Sequence, residues 1–182
     1  MKKPYVLNNT GNVEWFTPPH IVEAVREVFD GSIDLDPASN LEANKIIRAE
    51  KFFTIEDDAL SHEWHGKIFL NPPYSRFLLP RFVQKLRAER IMQHVDEAII
   101  LTNAATETEW FEQLAAIASG FCFPRGRIKF IRPDGTASDQ PTFGQVVTYV
   151  GCRNEKFFDV FKEFGSCMEL RCTRSAMERK KN

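Results

Sequence analysis

Lys67-Ile68-Phe69-Leu70-Asn71-Pro72-Pro73-Tyr74 is the stretch from which the fold can be read. After Lys67, its first half is an apolar run with no polar residue alternating through it, the pattern of a central strand covered on both faces. Its second half stops that strand abruptly. Neither proline can donate to a ladder, and both restrict the backbone, so Asn71 and Tyr74 are held stiffly just beyond a strand's carboxyl end.

Upstream, Ile33-Asp34-Leu35-Asp36-Pro37 reads as a second short buried strand, which the proline ends at about Asp36. A helix precedes it, with Thr17 as cap, Pro18 in the first turn, Ile21, Val25, Val28 and Phe29 at helical spacing, and Gly31 at its end. Residues 40 to 50 suit a short helix and Phe52-Phe53 a short strand, and Thr54 to Leu60 forms an acidic loop. Downstream, Pro80 to about His94 carries Phe82, Val83, Leu86 and Ile91 on one helical face, and Glu97 to Thr102 returns as a strand. Thr106 with Glu109 resembles a capping box opening a helix through Trp110, Phe111, Leu114 and Ile117, which Gly120 closes. Phe121 to Pro124, Arg127 to Ile131 and Gln145 to Val150 read as late strands, and Glu155 to Phe164 as a last helix ended by Gly165. This order implies an α/β domain whose sheet is mostly parallel with an antiparallel edge. Ligands of such sheets bind beyond the strands' carboxyl ends, where the turns at Asp36 and Asn71 and the loop at Asp58 open.

The chain has 182 residues, 43% of them apolar, which suits a single domain over residues 1–182 with its own core. With 24 Lys plus Arg against 25 Asp plus Glu, the net charge of -1 exerts no bulk pull on a polyanion. Three local clusters are basic: Arg76, Arg81, Lys85, Arg87 and Arg90; Arg125, Arg127, Lys129 and Arg132; and the tail over 171–182 with Arg171, Arg174, Arg179, Lys180 and Lys181. Singly each fits a solvated face, and together they point to a nucleic-acid partner. Cys122, Cys152, Cys167 and Cys172 form no C-x-x-C pair, the opening MKKPYVLNN leads into no signal-peptide apolar stretch, and no run reaches membrane-spanning length. A cytosolic protein with reduced thiols and no membrane partner is expected. His62 and His65 flank Trp64 without a third ligand near them in sequence, so they read as surface or turn residues and no metal is expected.

The turn at Asn71 has a chemistry of its own. An Asn side-chain oxygen and the Pro72 carbonyl can accept both hydrogens of a planar NH2 group, which weakens conjugation of its lone pair and aims it at an electrophile. Tyr74 offers a face for a base, an interaction of about 1–3 kcal/mol. The same tetrapeptide also fits a merely stiff strand exit with a surface tyrosine.

Four segments in this order and spacing resemble the phage-type DNA N6-adenine methyltransferases, the Dam family: Glu14-Trp15-Phe16-Thr17-Pro18-Pro19, Ile33-Asp34-Leu35-Asp36-Pro37-Ala38-Ser39, Asp57-Asp58-Ala59-Leu60, and Leu70-Asn71-Pro72-Pro73-Tyr74-Ser75. Pro141-Thr142-Phe143-Gly144-Gln145 is also similar, so the resemblance spans about residues 14–151. It implies a Rossmann-like fold, S-adenosylmethionine as methyl donor, double-stranded DNA as partner and a phage gene product acting in the bacterial cytoplasm. By the resemblance, Trp15, Phe16, Thr17 and Pro18 border the methionine end of the cofactor, and Asp36, Pro37 and Ala38 form the turn beneath it. Asp58 accepts from its adenine amino group, with Ala59 and Leu60 against the ring, while Asn71, Pro72, Pro73 and Tyr74 hold the target adenine. Glu50 is a candidate for the ribose hydroxyls. Arg76, Arg125, Arg127 and Lys129 are expected to face DNA. The turn departs from common methyltransferases, in which glycines follow the first strand; here Ala38, Ser39 and Asn40 follow Pro37.

The resemblance favours direct in-line transfer to a flipped adenine. Methylation at cytosine C5 needs a cysteine nucleophile, and Cys122 lacks the Pro-Cys context. Two alternatives remain open: the same fold acting on RNA or a protein glutamine, and an inactive nucleic-acid-binding module.

Overall fold

Both faces of Ile68-Phe69-Leu70 are covered, and the rest of the architecture follows from that. The computed structural model describes residues 15–132, 134–137 and 143–170. In chain order the elements are α1 (Pro19–Val28), β1 (Leu35–Asp36), α2 (Leu41–Ile47), β2 (Lys51–Phe52), a 3-10 turn (Ala59–Ser61), β3 (Gly66–Leu70), α3 (Leu78–Ile91), β4 (Val95–Asn103), α4 (Glu109–Ala115), β5 (Gly120–Pro124), β6 (Gln145–Val150), α5 (Asn154–Phe161) and β7 (Gly165–Glu169).

The seven strands form one sheet in the order β2-β1-β3-β4-β6-β5-β7. Strands β2, β1, β3 and β4 run parallel, with Leu35 opposite Ile68 and Leu70 opposite Ile100. Strand β6 is antiparallel to both its neighbours, and β7 is antiparallel to β5. The parallel core with an antiparallel edge is that expected from the sequence and is compatible with a Rossmann-like methyltransferase fold.

Alternation along the strands divides the core into two layers. Phe69, Ile99 and Leu101 pack with α1, α2 and α5, through residues such as Val25, Ile47 and Phe157. Ile68, Leu70, Ala98 and Ile100 face the other way, onto Leu79, Val83 and Leu86 of α3 and Leu114 of α4. Each such side chain taken from water contributes about 1.5–3 kcal/mol.

Several element ends differ from the sequence reading. Pro18, not Thr17, caps α1, which puts Pro19 at the first helical position and frees Thr17 for another partner. Helix α1 ends on Asp30 and Gly31, both at positive φ, with the Gly31 amide donating to the Arg26 carbonyl. Thr106 caps nothing: α4 starts after Thr108, whose hydroxyl donates to the Ala105 carbonyl, and Gly120 belongs to β5. Residues 127–131 alternate exposed basic and buried apolar side chains, yet form no strand because β6 is already paired on both edges. Only Ile131 makes bridges, to Phe16 and Ala137. Helix α5 stops at Phe161, and Gly165 opens a strand absent from the sequence reading. A Cβ on Gly165 would lie 2.0 Å from the Phe123 carbonyl oxygen, so this crossing requires glycine. Ile91, placed by periodicity on the apolar face of α3, is exposed in its last turn.

The two faces of α3 give a direct test. Leu86→Ala should cost about 2–5 kcal/mol in urea unfolding, whereas Ile91→Ala should stay within about 0.5 kcal/mol of the parent.

Candidate active site

Because β1, β2, β3 and β4 are parallel, the turn at Asp36, the loop through Asp58, the turn at Asn71 and the residues after Asn103 all leave the same edge of the sheet. Hydrogen bonds tie the first two of these exits together: the Phe53 amide donates to the Asp36 carbonyl (3.0 Å) and the Ser39 amide to the Phe53 carbonyl (2.9 Å).

Asn71 is the best-defined polar group on this edge. Its Nδ2 donates to Thr17 Oγ1 at 3.2 Å and to the Trp15 carbonyl at 3.4 Å. This joins residues 54 positions apart and fixes the amide plane, leaving Oδ1 as an acceptor. Neither that oxygen nor the Pro72 carbonyl has a partner among the described residues. Thr17 is buried, and its chain is held in place because Phe16 and Ile131 exchange both backbone hydrogen bonds, at 2.8 and 2.9 Å.

Tyr74 presents two environments. Its ring is partly exposed, while its hydroxyl points inward to the Leu101 carbonyl at 3.3 Å. Burial pushes that phenol far above its ordinary range, so it is no base, and the ring face is what it offers. The ring stands edge-on to Phe130, with centroids 6.2 Å apart.

Asp36 is almost fully buried, and among the described residues no cation pairs with it. Burial raises its carboxyl from 3.8 to about 7, against the lowering effect of the Ala38 amide, which donates at 3.0 Å, and of the Ser39 hydroxyl. Pro37 is buried and Ala38 half-buried beside it.

The two acids of the loop separate in role. Asp57 Oδ2 accepts from the Thr54 amide and hydroxyl at 2.7 and 2.8 Å, closing the turn, and these bonds hold its carboxyl below the ordinary range. Asp58 is exposed at positive φ, and its carboxylate has no partner among the described residues. Ala59 is buried after it and Leu60 half-buried. Glu50 is exposed at the amino end of β2, away from the Asp36 turn, because β2 begins at Lys51.

A cleft of about 580 Å³ opens beside Tyr74, lined by Asn103, Trp110 and Phe143 among others. The sequence reading passed over Asn103, and the only available signal was its position at a strand's carboxyl end. Arg76 also lines this cleft. Arg125, Arg127 and Lys129 are exposed on the segment that leads to Ile131 and its bridge to Phe16, and Arg132 stacks over Trp15 at 5.8 Å. A groove of about 860 Å³ between α1 and α5 is a weaker candidate, since its Arg48 pairs with Glu23 and its Lys156 with Glu27. The basic tail, Cys172, Glu14, Pro141 and Thr142 lie outside the described residues.

A family model described as DNA N-6-adenine-methyltransferase (Dam) matches residues 7–157. The chain belongs to this family. Its general activity is therefore methylation of adenine in DNA. No curated protein matches the chain. Within this methyltransferase Cys122 is no nucleophile: burial raises its thiol far above the ordinary range, and Sγ donates to the Phe161 carbonyl at 3.4 Å. No helix among the described residues is long and apolar enough to cross a membrane.

Asp36 makes stability pH-dependent. Its folded value lies above its unfolded one, so the contribution of its neutral form is complete below about pH 4 and is lost as pH rises to about 7, by roughly 1.4 kcal/mol per pH unit. Asp36→Asn, which keeps the acceptor for Ala38, should flatten this part of the stability–pH curve and leave the ligand-free variant the more stable protein at pH 8. Parallel curves for the two proteins in urea unfolding would refute it.

Proposed function

We propose that the enzyme transfers a methyl group from S-adenosylmethionine to the N6 amino group of an adenine flipped out of double-stranded DNA, by direct in-line displacement. The observation that carries this is Asn71, whose NH2 is engaged by Thr17 and Trp15, which leaves its Oδ1, like the Pro72 carbonyl beside it, without a partner among the described residues. An exocyclic amine donating to both has its lone pair turned out of conjugation and directed along one line.

The residues present fit the cofactor. A buried carboxylate without a cation suits a positively charged ligand, and Asp36 is such a group. Phe16, Thr17 and Pro18, with Trp15 at their edge, would line the methionine end, and Asp36, Pro37 and Ala38 the turn beneath. Asp58 would accept from the adenine amino group, with Ala59 and Leu60 against its ring, and Asn71 would border both ligands. When bound, the cofactor supplies a methyl group already activated on a sulfonium, so the protein needs no nucleophile. Asn71, Pro72 and Pro73 position the accepting nitrogen, and Tyr74 stacks on the flipped base, which is brought out of the duplex for about a few kcal/mol. Arg76, Arg125, Arg127 and Lys129 hold the backbone.

The deciding experiment is transfer of labelled methyl from S-adenosylmethionine to unmethylated DNA, followed by nucleoside analysis. N6-methyladenine is expected, and label found only in RNA or protein would overturn the proposal. Asn71→Ala should reduce turnover at least about 100-fold with cofactor affinity largely kept, since it removes an acceptor used at the reacting nitrogen. Tyr74→Phe should stay near the parent, because only the bond to Leu101 is lost, while Tyr74→Ala loses about 1–3 kcal/mol of base stacking.

Neutralising Arg125, Arg127 and Lys129 together should weaken DNA binding and reduce the slope of log affinity against log salt by about 2 to 3. An unchanged slope would remove this segment from the DNA-binding face.

A further inference from the structure

At the opposite end of the sheet, the amino ends of β3 and β4 bring together donors that lie far apart in sequence. One ligand atom each from Glu63, His65 and His94 lies within 4.8 Å of the others. We propose that these three side chains form a mononuclear Zn²⁺ site, with a water as fourth ligand.

Four features support it. Glu63 Oε2 and His65 Nε2 are 3.2 Å apart, close to the roughly 3.3 Å edge of a tetrahedron with bonds of about 2.0–2.1 Å. The His94 ring is held from behind: Nδ1 bonds to Glu89 Oε2 at 2.7 Å, which leaves Nε2 as the nitrogen available to a metal. Metal-binding imidazoles commonly have such a carboxylate behind them. Glu89 is itself buried and paired with Lys85.

The third feature is backbone placement. The Gly66 amide donates to the His94 carbonyl at 3.0 Å and Gly66 is in register with Val95, so the sheet sets the two histidines side by side, with ring centroids 4.8 Å apart. The fourth is Trp64, fully buried with its indole N–H on the Ala59 carbonyl at 2.9 Å; in an extended segment this turns its neighbours Glu63 and His65 outward together. His62 is not part of the site, since its Nε2 lies 3.0 Å from the Asp57 carbonyl and its ring stacks on Phe53.

Two histidines and one carboxylate form a donor set that zinc accepts while keeping one position for water. Here it would clip the turn before β3 to the turn before β4. It lies away from the edge that carries Asn71 and does not depend on the cofactor or the methyl acceptor proposed above.

The test uses the full chain and Zn²⁺ alone, titrated in competition with a metallochromic chelator. One equivalent should bind and raise the urea midpoint. His65→Ala and Glu63→Gln, both at exposed positions, should each weaken binding by more than about 100-fold, beyond the 10–100-fold effect of an outer partner, while His62→Ala leaves it unchanged. Co²⁺ in place of Zn²⁺ should give four-coordinate d–d bands without thiolate charge transfer. Absence of stoichiometric binding, full affinity in His65→Ala or thiolate bands from a cysteine would each overturn the site.

Discussion

Strand β3 has no side that can face water. Ile68 and Leu70 must be covered on one face and Phe69 on the other, so helices are required on both, and crossover connections that lay helices on a sheet make its strands parallel. Parallel strands deliver all their exits to one edge. The turn after β3 cannot drift from that edge, because five buried or half-buried residues anchor its start and two prolines stiffen its continuation. The geometry at Asn71 is thus a consequence of how the middle of the sheet is buried.

That anchoring also explains how distant segments cooperate. The Asn71 amide reaches Thr17 and Trp15, and the same stretch is clasped by Ile131, so three parts of the chain meet beside one side chain. A free asparagine could rotate and present either end of its amide. Here the nitrogen is engaged, so the oxygen is presented. Asp36 follows the same logic in electrostatic form: the sheet buries a carboxylate without a neighbouring cation, which is costly for the ligand-free protein when ionised and becomes favourable when positive charge arrives. A site that is locally uncomfortable in this way is characteristic of binding chemistry.

The strands of the core were legible because unbroken apolar runs are a local signal, and helix α3 because Phe82, Val83 and Leu86 recur at helical spacing. The errors fall where a partner outside the segment decides. Thr17 looked like a cap, since Thr-Pro-Pro is a good helix start, but its hydroxyl serves Asn71 instead. Residues 127–131 alternate like a strand, and the alternation does place Ile128 and Phe130 inward, but both edges of β6 are taken by β4 and β5. The weakly apolar Gly165–Glu169 became a strand because β5 had a free edge. Asp57 and Asp58 were equivalent as letters until Thr54 took one of them.

By itself the sequence determined the α/β class, the central strand, the three turns and the residue types on them, because each depends on burial periodicity or on the fixed backbone of proline, which are local properties. It determined the family through motif order. Tertiary structure alone decided which way Asn71 points, that Tyr74 offers its ring and withholds its hydroxyl, that Asp36 lacks a counter-charge, and that His65, His94 and Glu63 converge. Those are distances between residues up to 56 positions apart. Only the register of the sheet and the packing of its two helical layers set them.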